Sequence, residues 1–134
     1  MQEPVSDFAV GVYRWLMLKL VETSAAQPKV LREAIGFIHG NAQRDIGLTD
    51  IASALNVTPR SVQYAFRRHL NTTPLEYLRR VRLAHAHREL QAADPSTNTV
   101  MDIAGRWGFS HAGRFSVIYR ETFGNPPSKT LRGA

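Results

Sequence analysis

The stretch Asp50-Ile51-Ala52-Ser53-Ala54-Leu55-Asn56-Val57-Thr58 returns further along the chain as Asp102-Ile103-Ala104-Gly105-Arg106-Trp107-Gly108-Phe109-Ser110, a shift of 52 residues. The shift pairs Leu55 with Trp107, Asn56 with Gly108, Val57 with Phe109 and Thr58 with Ser110. One extra residue is expected in the next turn, after which the shift is 53. It then pairs Val62 with Phe115, Phe66 with Tyr119, Arg67 with Arg120, Leu70 with Phe123, Asn71 with Gly124 and Pro74 with Pro127. Chance rarely produces two such copies.

Each copy holds the parts of a helix-turn-helix. A short first helix carries a small alanine, Ala52 or Ala104, that lets a second helix cross closely. Asn56 or Gly108 supplies the positive φ of a tight turn. Val57 or Phe109 plugs the corner, and Thr58 or Ser110 offers a hydroxyl cap to the second helix. That second helix has an apolar inner face, Val62 with Phe66 or Phe115 with Tyr119. Its outer face is polar and suited to a major groove. Asn71 and Gly124 are the matching stops.

Working outward, the punctuation is helical throughout. Residues 5–22 read as a helix apolar nearly all round, which asks to be buried. Thr23 to Pro28 is a break, and Pro28 opens a helix that ends at Gly40-Asn41 by a left-handed cap. Its apolar face is Val30, Leu31, Ala34, Phe37 and Ile38. Thr49 is the expected cap of the helix through Leu55. Thr58-Pro59 starts the next, to about Leu70, and Pro74 opens a long one to about Ala93. Thr99 to Asp102 resembles a capping box, and Ser110 is expected to cap the last helix before Gly124-Asn125-Pro126-Pro127. No segment alternates as a strand would. The fold expected is all-α: two helix-turn-helix, homeodomain-like subdomains at about 48–70 and 99–123, joined by a linker helix at about 74–93, plus an N-terminal helix. Residues 1–27 form the N-terminal apolar helix and linker, belonging to or leading from an upstream regulatory domain, and 28–134 the main domain.

The net charge of +6 is unevenly spread. Residues 1–57 hold five Lys/Arg against six Asp/Glu, and residues 58–134 hold twelve against five. In the second group every basic residue except Lys129 is arginine, which suits bidentate contacts to phosphate and guanine. Cysteine is absent, which removes disulfides, thiolate metal sites and cysteine nucleophiles. Phe8 to Val21 is broken by Gly11, Arg14 and Lys19 and is short for a membrane span. A soluble, cytoplasmic protein is expected.

These residues resemble the C-terminal domain of the AraC/XylS family of bacterial transcription regulators, over about residues 30–132. The resemblance rests on Asp50-Ile51-Ala52, Gln63-x-x-Phe66-Arg67, Thr73-Pro74-x-x-Tyr77-Leu78 and Arg82-Leu83-x-x-Ala86-x-x-x-Leu90. It continues through Ile103-Ala104-x-x-x-Gly108-Phe109, Phe115-x-x-x-Tyr119-Arg120 and Phe123-Gly124-x-x-Pro127-Ser128. Asn56 and Asn71 depart from the family's usual glycine, and asparagine tolerates positive φ best among other residues. Gly113 falls inside the second recognition helix, at a helical cost of about 1 kcal/mol. The resemblance implies double-stranded DNA as partner, read by two helices in successive major grooves, with no cofactor and no metal. It leans towards transcription activation and contact with RNA polymerase, although no residue distinguishes activation from repression.

For base contacts the expected set is Arg60, Ser61, Gln63 and Tyr64 from the first recognition helix, and Ala112, Gly113, Arg114, Ser116 and Val117 from the second. Arginine suits guanine and glutamine suits adenine. Arg67, Arg68, His111, Arg120, Lys129 and Arg132 are the phosphate candidates. Ala52, Asn56, Phe66, Ala104, Gly108, Tyr119 and Gly124 are structural. Arg82 is structural too, pointing into the apolar arc of Leu75, Leu78, Leu83, Ala86 and Leu90, where a buried charge needs a carboxylate. Asp50 and Asp102 are the expected partners. An enzyme is disfavoured, since the five histidines are scattered and no nucleophile or paired-carboxylate constellation occurs. The alternative is a helical interaction or homodimerisation module built on residues 5–22 or an upstream domain.

Overall fold

The computed structural model describes residues 28–133. The expected helix over residues 5–22 lies outside the described residues. Seven helices follow in order: α1 Lys29–Asn41, α2 Leu48–Leu55, α3 Pro59–Leu70, α4 Pro74–Ala92, α5 Val100–Arg106, α6 Ala112–Phe123 and α7 Pro127–Arg132. Among the described residues there is no strand, and no helix is long and apolar enough to cross a membrane.

These helices form two compact units whose boundary falls within α4, at Val81 and Arg82. In the N-terminal unit α1, α2 and α3 pack pairwise around Leu31, Ala34, Ile35, Ile38, Ile51, Val62 and Phe66, all buried. Tyr77 on α4 closes this core, meeting Phe66 edge-on at 5.6 Å and His39 through a 2.9 Å hydrogen bond. In the C-terminal unit α5, α6 and α7 pack pairwise, and the remainder of α4 packs against them through His85 stacked on Trp107 and His87 stacked on Phe123. Leu90, Ile103, Ala104, Phe115, Tyr119 and Phe123 are its buried centre.

Several helix ends differ from expectation. Pro28 is the N-cap of α1 and not its first residue. That helix runs through Gly40 to Asn41, with Ala42 right-handed at φ −61°. Asn41 closes the end: its Nδ2 donates to the Phe37 carbonyl, and its Oδ1 and carbonyl accept from Arg44. Gly47, not Thr49, caps α2, because the Asp50 carboxylate accepts the Gly47 N–H at 2.8 Å. Leu75 is 49% exposed and does not share the apolar arc of α4.

The largest correction concerns the second turn. Ser110 does not cap α6; the cap is His111, which offers no side-chain hydrogen bond. The two turns open identically. Asn56 and Gly108 are left-handed, at φ 58° and 83°, and Val57 and Phe109 each donate to the carbonyl of Ala52 or Ala104 at 3.0 Å. The extra residue then enters before the helix rather than in its first turn. Ser110 is that insertion, and it carries the hydroxyl one position short of where Thr58 does its work.

Candidate nucleic-acid interface

Helix α3 is set by Thr58, whose Oγ1 accepts the Ser61 N–H at 3.1 Å, with proline at its first position. Val62, Ala65, Phe66 and Leu70 fasten its inner face to the core. Arg60, Ser61, Gln63, Tyr64, Arg67 and Arg68 are all exposed. At 100° per residue, Gln63, Arg67, Arg60 and Tyr64 span an arc of about 100°, with Tyr64 65% exposed at one edge. These four meet Thr73 around one shallow hollow. The structure thus brings together the main expected base readers and adds Thr73. Ser61 differs from them, since its hydroxyl lies 2.9 Å from Thr58 Oγ1 and is engaged in the cap.

Thr73, which lines this hollow, also caps the helix that follows, a role its local spacing expresses. Thr73-Pro74-x-Glu76 has the spacing of a capping box, and Thr73 Oγ1 accepts the Glu76 N–H at 3.1 Å. Glu76 is in turn paired with Arg79 at 2.9 Å.

Helix α6 turns Phe115, Tyr119 and Phe123 inward. Opposite them, Gly113, Arg114, Val117, Arg120 and Glu121 are exposed, within an arc of about 120°. Ala112 and Ser116 are half-buried on its flank. His111 is exposed at the cap, Arg132 is exposed on α7, and Lys129 reaches Asn125 Oδ1 at 3.5 Å. A Cβ at Gly113 would meet nothing within 4 Å, so packing does not demand glycine there.

The expected structural residues sit where the turns need them. Ala52, Phe66, Ala104 and Tyr119 are buried. Asn71 and Gly124 are left-handed, at φ 52° and 83°. Arg82 is half-buried, and its guanidinium lies 3.4 Å from the point a Cβ on Gly108 would occupy. Gly108 thus answers the positive φ of the turn, while a Cβ there would make no more than an ordinary contact with the flexible end of Arg82.

Beneath α6 lies a buried polar chain that sequence periodicity did not disclose. Tyr119 Oη donates to Thr130 Oγ1 at 2.8 Å and lies 2.6 Å from His87 Nδ1. With the hydroxyl proton committed to Thr130, Tyr119 accepts from Nδ1–H, so Nε2 is the unprotonated nitrogen. Nε2 is buried without a hydrogen-bond partner, and the ring stacks on Phe123 at 4.1 Å. Burial therefore pulls the His87 pKa down to about 4 and pushes that of Tyr119 up to about 12. This group holds α6 to α4 and α7; it does not face outward.

Comparison with known proteins bears on the same residues. A family described as a helix-turn-helix domain matches residues 51–133. A probable thc operon regulatory protein of Rhodococcus erythropolis is 39% identical over 114 residues, which is 85% of this chain and 34% of that protein. The XylDLEGF operon transcriptional activator 3 of Pseudomonas putida is 29% identical over 96% of this chain and 40% of its own length. The chain thus spans about a third to two fifths of these relatives. The crystal structure of a probable AraC family transcriptional regulator from Rhodopseudomonas palustris superposes with a TM-score of 0.71 at 34% identity, covering 78% of this chain and 96% of that one.

Proposed function

The chain belongs to the AraC/XylS-type family of helix-turn-helix DNA-binding domains, and from that membership we propose that it is a sequence-specific regulator of transcription which lays α3 and α6 into successive major grooves of double-stranded DNA. The family is one of transcription-regulator domains and not of enzymes. Such grooves recur about every 34 Å, so the site would be two boxes one turn apart. The observation that carries the reading is the matched pair of helix-turn-helix units, each with an exposed outer face. A module serving only protein contacts is not favoured, because the matched residues 51–133 are those of the DNA-binding domain.

The two units have different tasks in this reading. Arg60, Gln63 and Tyr64 recognise bases near the start of α3, and Arg67 and Arg68 hold phosphates. Arg114 is the main base reader of α6, supported by Val117 and by Arg120 on the backbone, with His111, Lys129 and Arg132 as further phosphate contacts. The first unit reads and the second clamps. Residues 28–134 form the DNA-binding domain, working in the cytoplasm, with 1–27 as its link to an upstream domain. RNA polymerase and a second copy of the chain, joined through residues 5–22 or that upstream domain, are the protein partners proposed.

Selection of bound sequences from a random duplex pool tests this. The expected product is two boxes about one turn apart, the box read by α3 being the more sharply defined. Arg60→Ala should cost about 1–3 kcal/mol and relax one position, as for a lost bidentate contact, and Arg114→Ala should cost less. No enrichment at moderate salt would overturn the proposal.

A further inference from the structure

We infer that Glu121 restrains the grip of the second unit on DNA, a reading that rests on α6 facing the duplex as proposed above. Every other described glutamate is in an ion pair: Glu33 with Lys29 at 3.7 Å, Glu76 with Arg79 and Arg80 at 2.9 and 3.6 Å, and Glu89 with Arg106 at 3.5 Å. Glu121 alone among them has none, and it is exposed. Nor does its helix benefit from it. Glu121 lies in the last turn of α6, where the unsatisfied carbonyls carry partial negative charge and an acidic side chain is unfavourable.

What remains is its direction. Glu121 shares the outward arc with Val117, one turn earlier, and Arg114, two turns earlier. A recognition helix reads base edges with its N-terminal residues, so a last-turn side chain lies nearer the phosphates. At the equivalent place in α3, 53 residues earlier, stands Arg68. Where the first unit offers a cation to the backbone, the second offers a carboxylate. Like charges there weaken the clamp without touching the base readers, so the second box is held loosely and occupied only when the first is well engaged.

The test compares wild type, Glu121→Gln, Glu121→Arg and Arg67→Ala on a mixed-sequence duplex and on a selected two-box duplex, over a range of salt. Because the repulsion is with phosphates, Glu121→Gln should tighten both complexes several-fold. Glu121→Arg should tighten them further and steepen the slope of log affinity against log salt by about one. Unchanged or weakened binding by Glu121→Gln overturns the inference. A loss confined to duplexes with one particular C·G pair would do so by assigning the carboxylate to a cytosine amino group. If wild type does not bind DNA and Arg67→Ala changes nothing, the functional reading fails and this inference falls with it; that outcome is visible before any Glu121 variant is measured.

Discussion

Set side by side at their common spacing of 53 residues, the two recognition helices have the same length and opposite outfitting. Both run for 12 residues and both are stopped by a left-handed residue. At equivalent outward places Arg60 meets Gly113, Gln63 meets Ser116, Tyr64 meets Val117 and Arg68 meets Glu121; only Arg67 and Arg120 agree. The inner faces, by contrast, keep a buried, largely apolar side chain at the matched positions, Tyr119 alone adding a hydroxyl. Packing keeps one side of the helix buried while letting its residues change in concert with their own core, and the other side is free to diverge as its target does. A repeat in a binding protein therefore preserves a scaffold and need not preserve a task.

The units also differ in what their cores will tolerate, and acid should separate them most strongly. The unfolded chain protonates an imidazole near 6.5, whereas His87 in the folded C-terminal unit does so near 4. The folded state thus binds fewer protons between those values. Stability is whole above about pH 6.5 and is lost as pH falls towards 4, by about 3 kcal/mol if the full shift is realised. Denaturant melts at pH 7 and pH 4.5, followed by signals from each unit, should show the C-terminal unit losing more. His87→Gln should flatten that difference; an equal loss in both units would break the comparison.

A smaller effect, about 1 kcal/mol, is expected from the caps. Thr58→Ala should lower the thermal stability of the N-terminal unit by that amount, and Ser110→Ala should leave the C-terminal unit within a few tenths, since Ser110 does not cap α6. Equal losses would restore the symmetric turn. Smallest is Gly113→Ala, which should stabilise α6 by up to about 1 kcal/mol, because the added methyl enters open space. If DNA affinity falls while the melting temperature rises, Gly113 serves close approach to the duplex; if both improve, it is merely tolerated.

Much of this was legible in the sequence, for reasons that differ by residue. Asn56, Asn71, Gly108 and Gly124 were readable because positive φ is a local demand met by few residue types. The buried stripes of α3 and α6 followed from helical periodicity. Ser110 resembles a cap because a hydroxyl stands beside a turn, and only the hydrogen-bonded backbone shows the helix beginning one residue later. Gly40 resembles a helix stop, yet Asn41 and Arg44 close the helix beyond it by side-chain bonds that no local rule anticipates. The partnership of His87, Tyr119 and Thr130 joins residues 32 and 11 apart, a pairing that periodicity within one helix does not specify. The role of Glu121 is not written in any local pattern, because it lies in the lack of an ion pair that the other described glutamates have.

The buried polar chain of the C-terminal unit has a counterpart with its parts exchanged. In the N-terminal unit the tyrosine is Tyr77, on the helix after the recognition helix, and the recognition helix supplies Phe66. In the C-terminal unit those matched places hold Thr130 and Tyr119. Each unit thus has one phenol facing one histidine, His39 or His87, donated from opposite walls. The helices are consequently not interchangeable cassettes. Transplanting α3 whole into the second unit would set a phenyl ring where His87 and Thr130 share a hydroxyl, and the reverse graft would crowd a second phenol against Tyr77. Retargeting this scaffold to new DNA requires grafting outward side chains alone, leaving each helix's underside with its own unit.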